Sequence, residues 1–176
     1  MRRSASLERL DATLHADKNP YCKEGVEMDG SMVIKFTVMG EPRGKGRPRF
    51  ARRGKFVQTY TDDTTVSYEN LVRLSYQQQC GFHIFPKECM LEMRISCYLP
   101  IPKSASKKKQ LLMEQNVLRP TKKPDFDNMV KVVCDALNKV AYADDTQIVD
   151  GMVRKFYSRQ PRMVVSIKEI SAQPKL

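Results

Sequence analysis

The stretch from Lys122 to Asp145, KKPDFDNMVKVVCDALNKVAYADD, places the strongest constraint on the fold. Its apolar residues recur at the i, i+3, i+4, i+7 spacing of a helix with one buried face. They are Met129, Val132, Val133, Ala136, Leu137 and Val140. Pro124 keeps the residue before it extended, and Asp127 is the predicted N-cap, because its short side chain can accept a hydrogen bond from an unpaired backbone N–H. The rest of the chain has to cover the apolar face of this helix.

Acidic residues flank the predicted helix on both sides. Asp125 and Asp127 lie at its start, and Asp144 and Asp145 follow it, in a protein whose formal net charge is +11. Clustered carboxylates raise one another's pKa unless a cation neutralises them, so the pattern predicts a hard metal ion with oxygen ligands. The expected ion is Mg²⁺, with Mn²⁺ as a substitute. The alternative is that Asp127 only caps the helix and Asp144 and Asp145 only form a turn, since Asp is common at both places.

Basic residues concentrate in two segments that precede the acidic one and are expected to frame it in the fold. Residues 40–59 contain seven Lys or Arg against Glu41 alone, residues 103–123 contain seven against Glu114 alone, and residues 124–150 contain six Asp against two Lys. This arrangement is typical of a site that attracts phosphates toward a metal. The glycines of the first segment would let backbone N–H groups approach a phosphate. The lysine run at residues 107–109 in the second segment has a simpler alternative, because such runs are often only solvated. The predicted DNA-binding residues are Arg43, Lys45, Arg47, Arg49, Arg52, Arg53, Lys122 and Lys123.

The length of 176 residues suits one domain. We expect residues 1–31 to be a peripheral or disordered extension, residues 32–170 to be the domain and residues 171–176 to be a tail. The five cysteines are odd in number and none forms a C-x-x-C pair, so Cys97 and Cys134 are predicted to be buried thiols of a reducing compartment. The chain shows no apolar run of membrane-spanning length and no targeting segment, which favours a cytoplasmic protein.

The remaining periodicities predict the other elements. Strands are expected at 32–39, in a hairpin over 49–60, and at 89–99, 147–157 and 162–170. Helices are expected from Thr61 or Asp62 to about Gln79, and from Ser104 or Ser106 onward. The predicted fold class is therefore α/β of the α+β type: one domain, a mixed and largely antiparallel sheet of about four or five strands paired through hairpins, and about three helices.

The chain resembles the RusA family of Holliday-junction endonucleases over roughly residues 32–170. The matching motifs are GEPRGKGRPRF, KPDFDNMVKVVCDALN and DDTQIVDGMVRK. The resemblance implies a homodimeric, magnesium-dependent resolvase that nicks two opposed strands of a four-way DNA junction, and such enzymes are often encoded by prophages. It implies a RusA-like fold as well.

Residue by residue, the family's metal ligands correspond to Asp125, Asp127 and Asp145, with Asp144 adjacent. The family's essential lysine corresponds to Lys131. The linker KVAYA is one residue shorter than in the founding member, so both Asp144 and Asp145 remain candidates for the third ligand. The resemblance thus implies Asp125, Asp127, Asp145 and Lys131 as the catalytic set.

The geometry of a helix leaves alternatives open for these residues. Lys131 lies four residues after Asp127 and so over the same face, but an equally spaced surface pair with Asp135 is the alternative. Acids at opposite ends of the helix can meet within one chain only if the returning segment is nearly extended, so completion of the site by a partner subunit is also open. Rival functions are a nuclease for flaps or forks and a non-catalytic DNA-binding recombination accessory protein.

Overall fold

The fold is built on a five-stranded sheet with the order β1-β2-β7-β5-β6. The computed structural model describes residues 23–26, 31–47, 49–53 and 56–170. The sheet strands are β1 (Lys23–Val26), β2 (Met32–Met39), β5 (Met90–Pro100), β6 (Ile148–Ser158) and β7 (Arg162–Ile170). A separate antiparallel ribbon is formed by β3 (Arg49–Arg53) and β4 (Phe56–Tyr60). The predicted hairpin over 49–60 is therefore confirmed.

Three α-helices complete the described part of the chain. They are α1 (Asp63–Cys80), α2 (Lys107–Glu114) and α3 (Phe126–Leu137), and a short 3₁₀ helix, Asp145–Gln147, precedes β6. Ser106 caps α2 by accepting a hydrogen bond from the backbone N–H of Lys109. The prediction of a single α+β domain with a mixed sheet and three helices is confirmed.

The direction of one strand pairing differs from the expectation of hairpin-paired strands. β5 and β6 are parallel, whereas the pairs β1–β2, β2–β7 and β5–β7 are antiparallel. A parallel pair needs a long crossover, and here α2 and α3 supply it between β5 and β6. Because β5 lies between β6 and β7, the turn that joins those two strands spans a neighbour and does not close a hairpin.

The hydrophobic core lies between one face of the sheet and the helices α1 and α3. Alternate β5 residues are buried, among them Leu91, Met93 and Ile95, as their period of two predicts. On α3 the predicted apolar positions from Met129 to Leu137 are buried. Cys97 and Cys134 are buried free thiols, as predicted.

The division of the chain into an extension, a domain and a tail stays a prediction. Lys23–Val26, within the predicted extension, forms the edge strand β1 against β2. The rest of residues 1–30 and the tail 171–176 lie outside the described residues. None of the helices in the described part of the chain combines the length and the hydrophobicity that crossing a lipid bilayer requires.

Candidate functional site

The N-terminal end of α3 presents two exposed aspartates. The helix begins at Phe126, so Asp125 is the N-cap and the prediction of Asp127 was wrong by two residues. Aspartate is a good N-cap residue at either position. The carbonyl of Asp125 accepts the N–H of Met129 at 3.1 Å, and this first helical hydrogen bond starts the helix two residues before the predicted position. Asp127 then falls in the first turn, where the helix dipole favours a negative charge.

The carboxylate of Asp125 has little to bind within the protein. It makes no capping hydrogen bond, and the side-chain amide of Asn128 donates to Oδ2 at a long 3.5 Å. The side chain is exposed. A carboxylate held in this way is available to a ligand.

Asp127 and Lys131 form an ion pair across one turn of α3. The Nζ of Lys131 lies 3.3 Å from Oδ2 of Asp127, and the two side chains are 60% and 62% exposed. The hydrogen bond from Lys131 holds the pKa of Asp127 below its usual value. The predicted shared face of Asp127 and Lys131 is thus observed, whereas the alternative pair with Asp135 does not form, because Asp135 contacts Lys45.

At the other end of α3, the fold distinguishes Asp144 from Asp145. Asp144 caps the 3₁₀ helix: its Oδ1 accepts the N–H of Thr146 at 3.0 Å, and hydrogen bonds from Thr146 lower its pKa. Gln147 completes a capping box by accepting the N–H of Asp144. Asp145 is exposed and is not the capping residue. Asp144 therefore has a structural task that Asp145 lacks.

Asp145 lies near the last turn of α3. Burial raises the pKa of the Cys134 thiol to about 11, and the negative charges of Asp145 and Asp135 contribute to that increase. Cys134 lies seven residues beyond Asp127, which is about 10 Å along a helix that rises 1.5 Å per residue. The N–H groups of Val140 and Ala141 both donate to the carbonyl of Leu137, so the chain turns directly after α3, and Asp145 follows the C-terminal end of the helix whereas Asp125 caps its start.

The predicted acids do not assemble into a metal site within a single described chain. Across residues 23–26, 31–47, 49–53 and 56–170, no group of three or more Asp, Glu, His or Cys side chains could hold a metal ion. The donor chemistry suits a hard cation, since exposed carboxylates are oxygen ligands. The arrangement within one described chain does not, because it gathers no group of three such donors. One subunit alone does not fit the metal.

A groove of about 520 Å³ opens beside the N-terminal end of α3. Its walls come from the loop 41–47, the start of α1 and the segment that leads into α3. Arg43 and Arg47 are exposed along it, and Asp125 lies at the same groove with Lys123. Guanidinium groups are suited to bidentate phosphate binding, so the groove places phosphate donors next to an available carboxylate.

Two glycines of this loop, Gly44 and Gly46, are needed for close packing, a role that the interpretation from sequence did not include. A Cβ on Gly44 would lie 2.9 Å from Cβ of Asn128, and one on Gly46 would lie 2.8 Å from Oγ1 of Thr65. The N–H of Lys45 donates to the Asn128 carbonyl at 2.8 Å, and that of Gly46 donates to Thr65 at 3.0 Å. These amides are already satisfied. Gly54 lies outside the described residues.

Lys45 fastens the loop to two helices. Its Nζ is paired with Asp135 of α3 and lies 3.4 Å from Glu69 of α1. Burial alone would lower the pKa of Lys45, but its hydrogen bonds and charge attraction to the two carboxylates raise it. Of the predicted DNA-binding residues in this loop, Lys45 is therefore occupied within the protein.

The other predicted DNA-binding residues fall into two groups. Lys122 and Lys123 are exposed just before α3. Arg49, Arg52 and Arg53 belong to β3, and their side chains lie outside the described part of the structure.

Sequence reasoning missed two residues that position the site. Asn128 bonds both the loop and Asp125, and its place directly after Asp127 could have revealed it. The Nζ of Lys155 donates to the carbonyls of Lys122 and Pro124, at 3.0 Å for Pro124, and so holds the segment before Asp125. Lys155 is distant in sequence and ends the matching motif DDTQIVDGMVRK, but the motif by itself assigned it no role.

Comparison with known proteins shows the family to which this chain belongs. The chain is 44% identical over 141 residues to the uncharacterized protein YqaN of Bacillus subtilis strain 168, covering 79% of this chain and 98% of that protein. Residues 39–168 match the family described as "Endodeoxyribonuclease RusA", a match that includes the groove, α3 and the acids at both of its ends. The chain belongs to the RusA endodeoxyribonuclease family.

Proposed function

We propose that the protein is a metal-dependent endonuclease that resolves Holliday junctions by nicking two symmetric strands. Membership of the RusA family supports nuclease chemistry on branched DNA. The observation that carries the proposal is the groove in which exposed Arg43 and Arg47 lie beside the available carboxylate of Asp125. Exposed guanidinium groups next to an available carboxylate combine phosphate attraction with a ligand for a metal ion, and both can contribute to phosphodiester hydrolysis.

The catalytic roles in this proposal belong to Asp125, Asp127, Asp145 and Lys131. Enzymes of the family generally depend on a metal, and we assign Mg²⁺, with Mn²⁺ as a substitute, to the three carboxylates. When bound, the ion supplies positive charge that favours ionisation of water and neutralises the phosphate. The ammonium of Lys131, one turn into α3 and 60% exposed, would attract the scissile phosphate and offset charge on it.

A homodimer is part of the same proposal. A four-way junction has approximate two-fold symmetry, and paired nicks require two matched sites. Because one described chain does not gather the acids, each site is completed across two subunits. Mixing Asp125→Asn with Asp145→Asn protein should then recover cleavage that each lacks alone, whereas continued inactivity of the mixture would contradict sharing. We assign the cytoplasm as the location.

The first test is the Asp125→Asn variant. Loss of one metal ligand should reduce Mg²⁺-dependent cleavage of a synthetic junction by at least about 100-fold. Even residues that only hydrogen-bond to metal ligands typically change metal affinity or activity by about 10–100-fold when they are mutated. Binding of the junction should persist, because removing a negative charge does not weaken attraction for phosphates. The measurements are cleavage gels and a binding titration without Mg²⁺.

Linear duplex and a flap substrate, assayed beside the junction, separate the proposal from its rivals. Preferential cleavage of the junction supports a resolvase. Equal cleavage of the flap would indicate a nuclease of broader structure selectivity. Junction binding with no cleavage by the parent protein in Mg²⁺ or Mn²⁺ would indicate an accessory DNA-binding protein and would contradict the catalytic assignment.

A further inference from the structure

A short strap, residues 119–124 (RPTKKP), leads from the region of α2 to the start of α3. It contains neither helix nor strand. Among the described residues, none of its backbone groups is hydrogen-bonded to another backbone group. Buried or half-buried backbone groups need partners, so the conformation of the strap depends on side chains that reach it from other parts of the fold.

One residue of β6 holds the strap at both of its ends. The Nζ of Lys155 donates to the carbonyls of Lys122 and Pro124, at 3.0 Å for Pro124. The carbonyl of Lys155 in turn accepts a hydrogen bond from the Nε of Arg119 at 2.8 Å. Lys155 therefore binds the end of the strap with its side chain and the beginning of the strap with its backbone.

These contacts lie on opposite faces of the sheet. Lys155 is in register with the buried Cys97, on the face that carries the core. Phe156 points to the other face, since successive residues of a strand alternate, and its ring lies 4.4 Å from the guanidinium carbon of Arg119. Phe156 is itself stacked on Tyr98, with ring centroids 5.3 Å apart. The strap thus passes around the edge of β6 and is held on both sides of it.

Asp125 directly follows the strap and depends on it for its position. Its side chain makes no capping hydrogen bond and has only the 3.5 Å contact with Asn128. An exposed carboxylate with so weak a contact is placed by its backbone. That backbone is fixed on one side by α3 and on the other by the carbonyl of Pro124, which Lys155 binds. Displacement of the strap would therefore move the Asp125 carboxylate in the groove.

We propose that Arg119 and Lys155 form a clasp that positions the Asp125 carboxylate for strand cleavage. Both are positioning residues, because their polar atoms bind the protein backbone. A misplacement of about 1 Å in a site can lower a reaction rate about 100-fold. The effect on cleavage rests on the proposed function, whereas the holding of the strap rests on its contacts with β6 alone.

Trypsin tests the holding of the strap without DNA or metal. It cleaves after Lys and Arg but not before proline, so the bond between Lys122 and Lys123 is the one susceptible bond within the strap. Lys155→Met removes both hydrogen bonds and should raise the rate of cleavage at this bond at least about tenfold, because the strap opens more often. The lysines at 107–109 of α2 are the internal reference and should be cleaved at the parental rate. Mass spectrometry of early fragments measures both rates.

Junction assays test what the clasp does for the reaction. Lys155→Met should lower the single-turnover cleavage rate at saturating protein and Mg²⁺ by about 10- to 100-fold. The dissociation constant of the junction without Mg²⁺ should stay within about threefold of the parental value, since this ammonium is already engaged by carbonyls and adds little to phosphate attraction. A role in stability alone would not lower the rate of folded, DNA-bound protein. Lys155→Arg retains N–H donors and should recover most of the rate.

The second half of the clasp provides a test of coupling. Arg119→Met should change the proteolysis and the cleavage rate in the same directions as Lys155→Met, but less. Combined with Lys155→Met it should add little, because the strap is already released. Lys35→Met is the matched control: it makes the same substitution at an exposed residue of β2 and should leave both rates unchanged. Circular dichroism confirms that each variant is folded at the assay temperature.

Parental proteolysis after Lys122 in the Lys155→Met variant, an equal rise at residues 107–109, or effects of the two substitutions that multiply would each overturn the clasp. Should Lys155→Met fail to fold, the same measurements on Arg119→Met decide, because Arg119 is exposed. Faster proteolysis of the strap with a parental rate of junction cleavage would overturn the positioning of Asp125. A parent protein that cleaves no junction, while the proteolysis pattern holds, would overturn the proposed function and leave the clasp standing.

Discussion

The two ends of α3 carry the same residue type in very different circumstances. At the start of the helix, the Asp125 carboxylate has only a 3.5 Å contact with Asn128 and lies at an open groove. Beyond its end, Asp144 is engaged by Thr146 and by the capping box with Gln147. The comparison teaches that aspartates at the two ends of one helix need not be equivalent, because backbone N–H groups can occupy one carboxylate and leave the other available.

The largest expected effect separates Asp144 from Asp145. Asp145→Asn should reduce junction cleavage by at least about 100-fold if its carboxylate is a metal ligand. Asp144→Asn should cleave at close to the parental rate, because asparagine caps as well as aspartate does. Single-turnover cleavage rates at saturating Mg²⁺ measure both. The opposite ranking would show that the capping residue, Asp144, is the metal ligand and would contradict the distinction between Asp144 and Asp145.

An intermediate effect concerns the stability of the segment that follows the C-terminal end of α3. Gln147 is buried, donates to the carbonyls of Pro86 and Cys89 at 2.8 and 3.3 Å, and accepts the N–H of Ala143 at 2.9 Å. Gln147→Ala should lower the free energy of unfolding by about 2 to 3 kcal/mol, because buried partners lose their hydrogen bonds. Urea denaturation measures the change. A difference below about 0.5 kcal/mol, typical of surface sites, would contradict this structural role.

The smallest effect concerns Asp127 at the N-terminal end of α3. Lys131→Met should raise the pKa of Asp127 toward its usual value, since the hydrogen bond from Lys131 lowers it. A lowered carboxylate pKa stabilises the folded state above the usual pKa, and this stabilisation is lost as the pH falls through the lowered value. The variant should therefore lose stability only in the range above the lowered pKa, and only slightly because the pair is exposed. An NMR titration of the Asp127 carboxyl carbon tests the pKa.

Much of the architecture could be predicted because it depends on local periodicity. The apolar faces of α3 and β5 follow from spacings of 3.6 and 2 residues. The N-cap could not be chosen between Asp125 and Asp127, since both are good capping residues and tertiary placement decides. The parallel pairing of β5 with β6 depends on the path of the crossover and not on either strand's own pattern.

The site could be predicted in its residue types but only partly in its arrangement. The motif around Asp125 and Lys131 indicated the helix end and the shared face of Asp127 with Lys131. The packing role of Gly44 and the engagement of Lys45 by Asp135 arise from contacts between distant segments, which local sequence does not reveal. The distance between the two pairs of acids likewise follows from how α3 lies in the fold.

The fastening of the 41–47 loop has a consequence for the energetics of recognition. Lys45 ties it to both α1 and α3, and the backbone amides of Lys45 and Gly46 anchor it further. A groove wall held in this way has little conformational freedom left to lose, so the entropic cost of ordering it is met during folding and not on contact with a ligand. On the proposed function, the nucleic acid and not this wall would have to change shape, and substrates would be discriminated by how easily they deform.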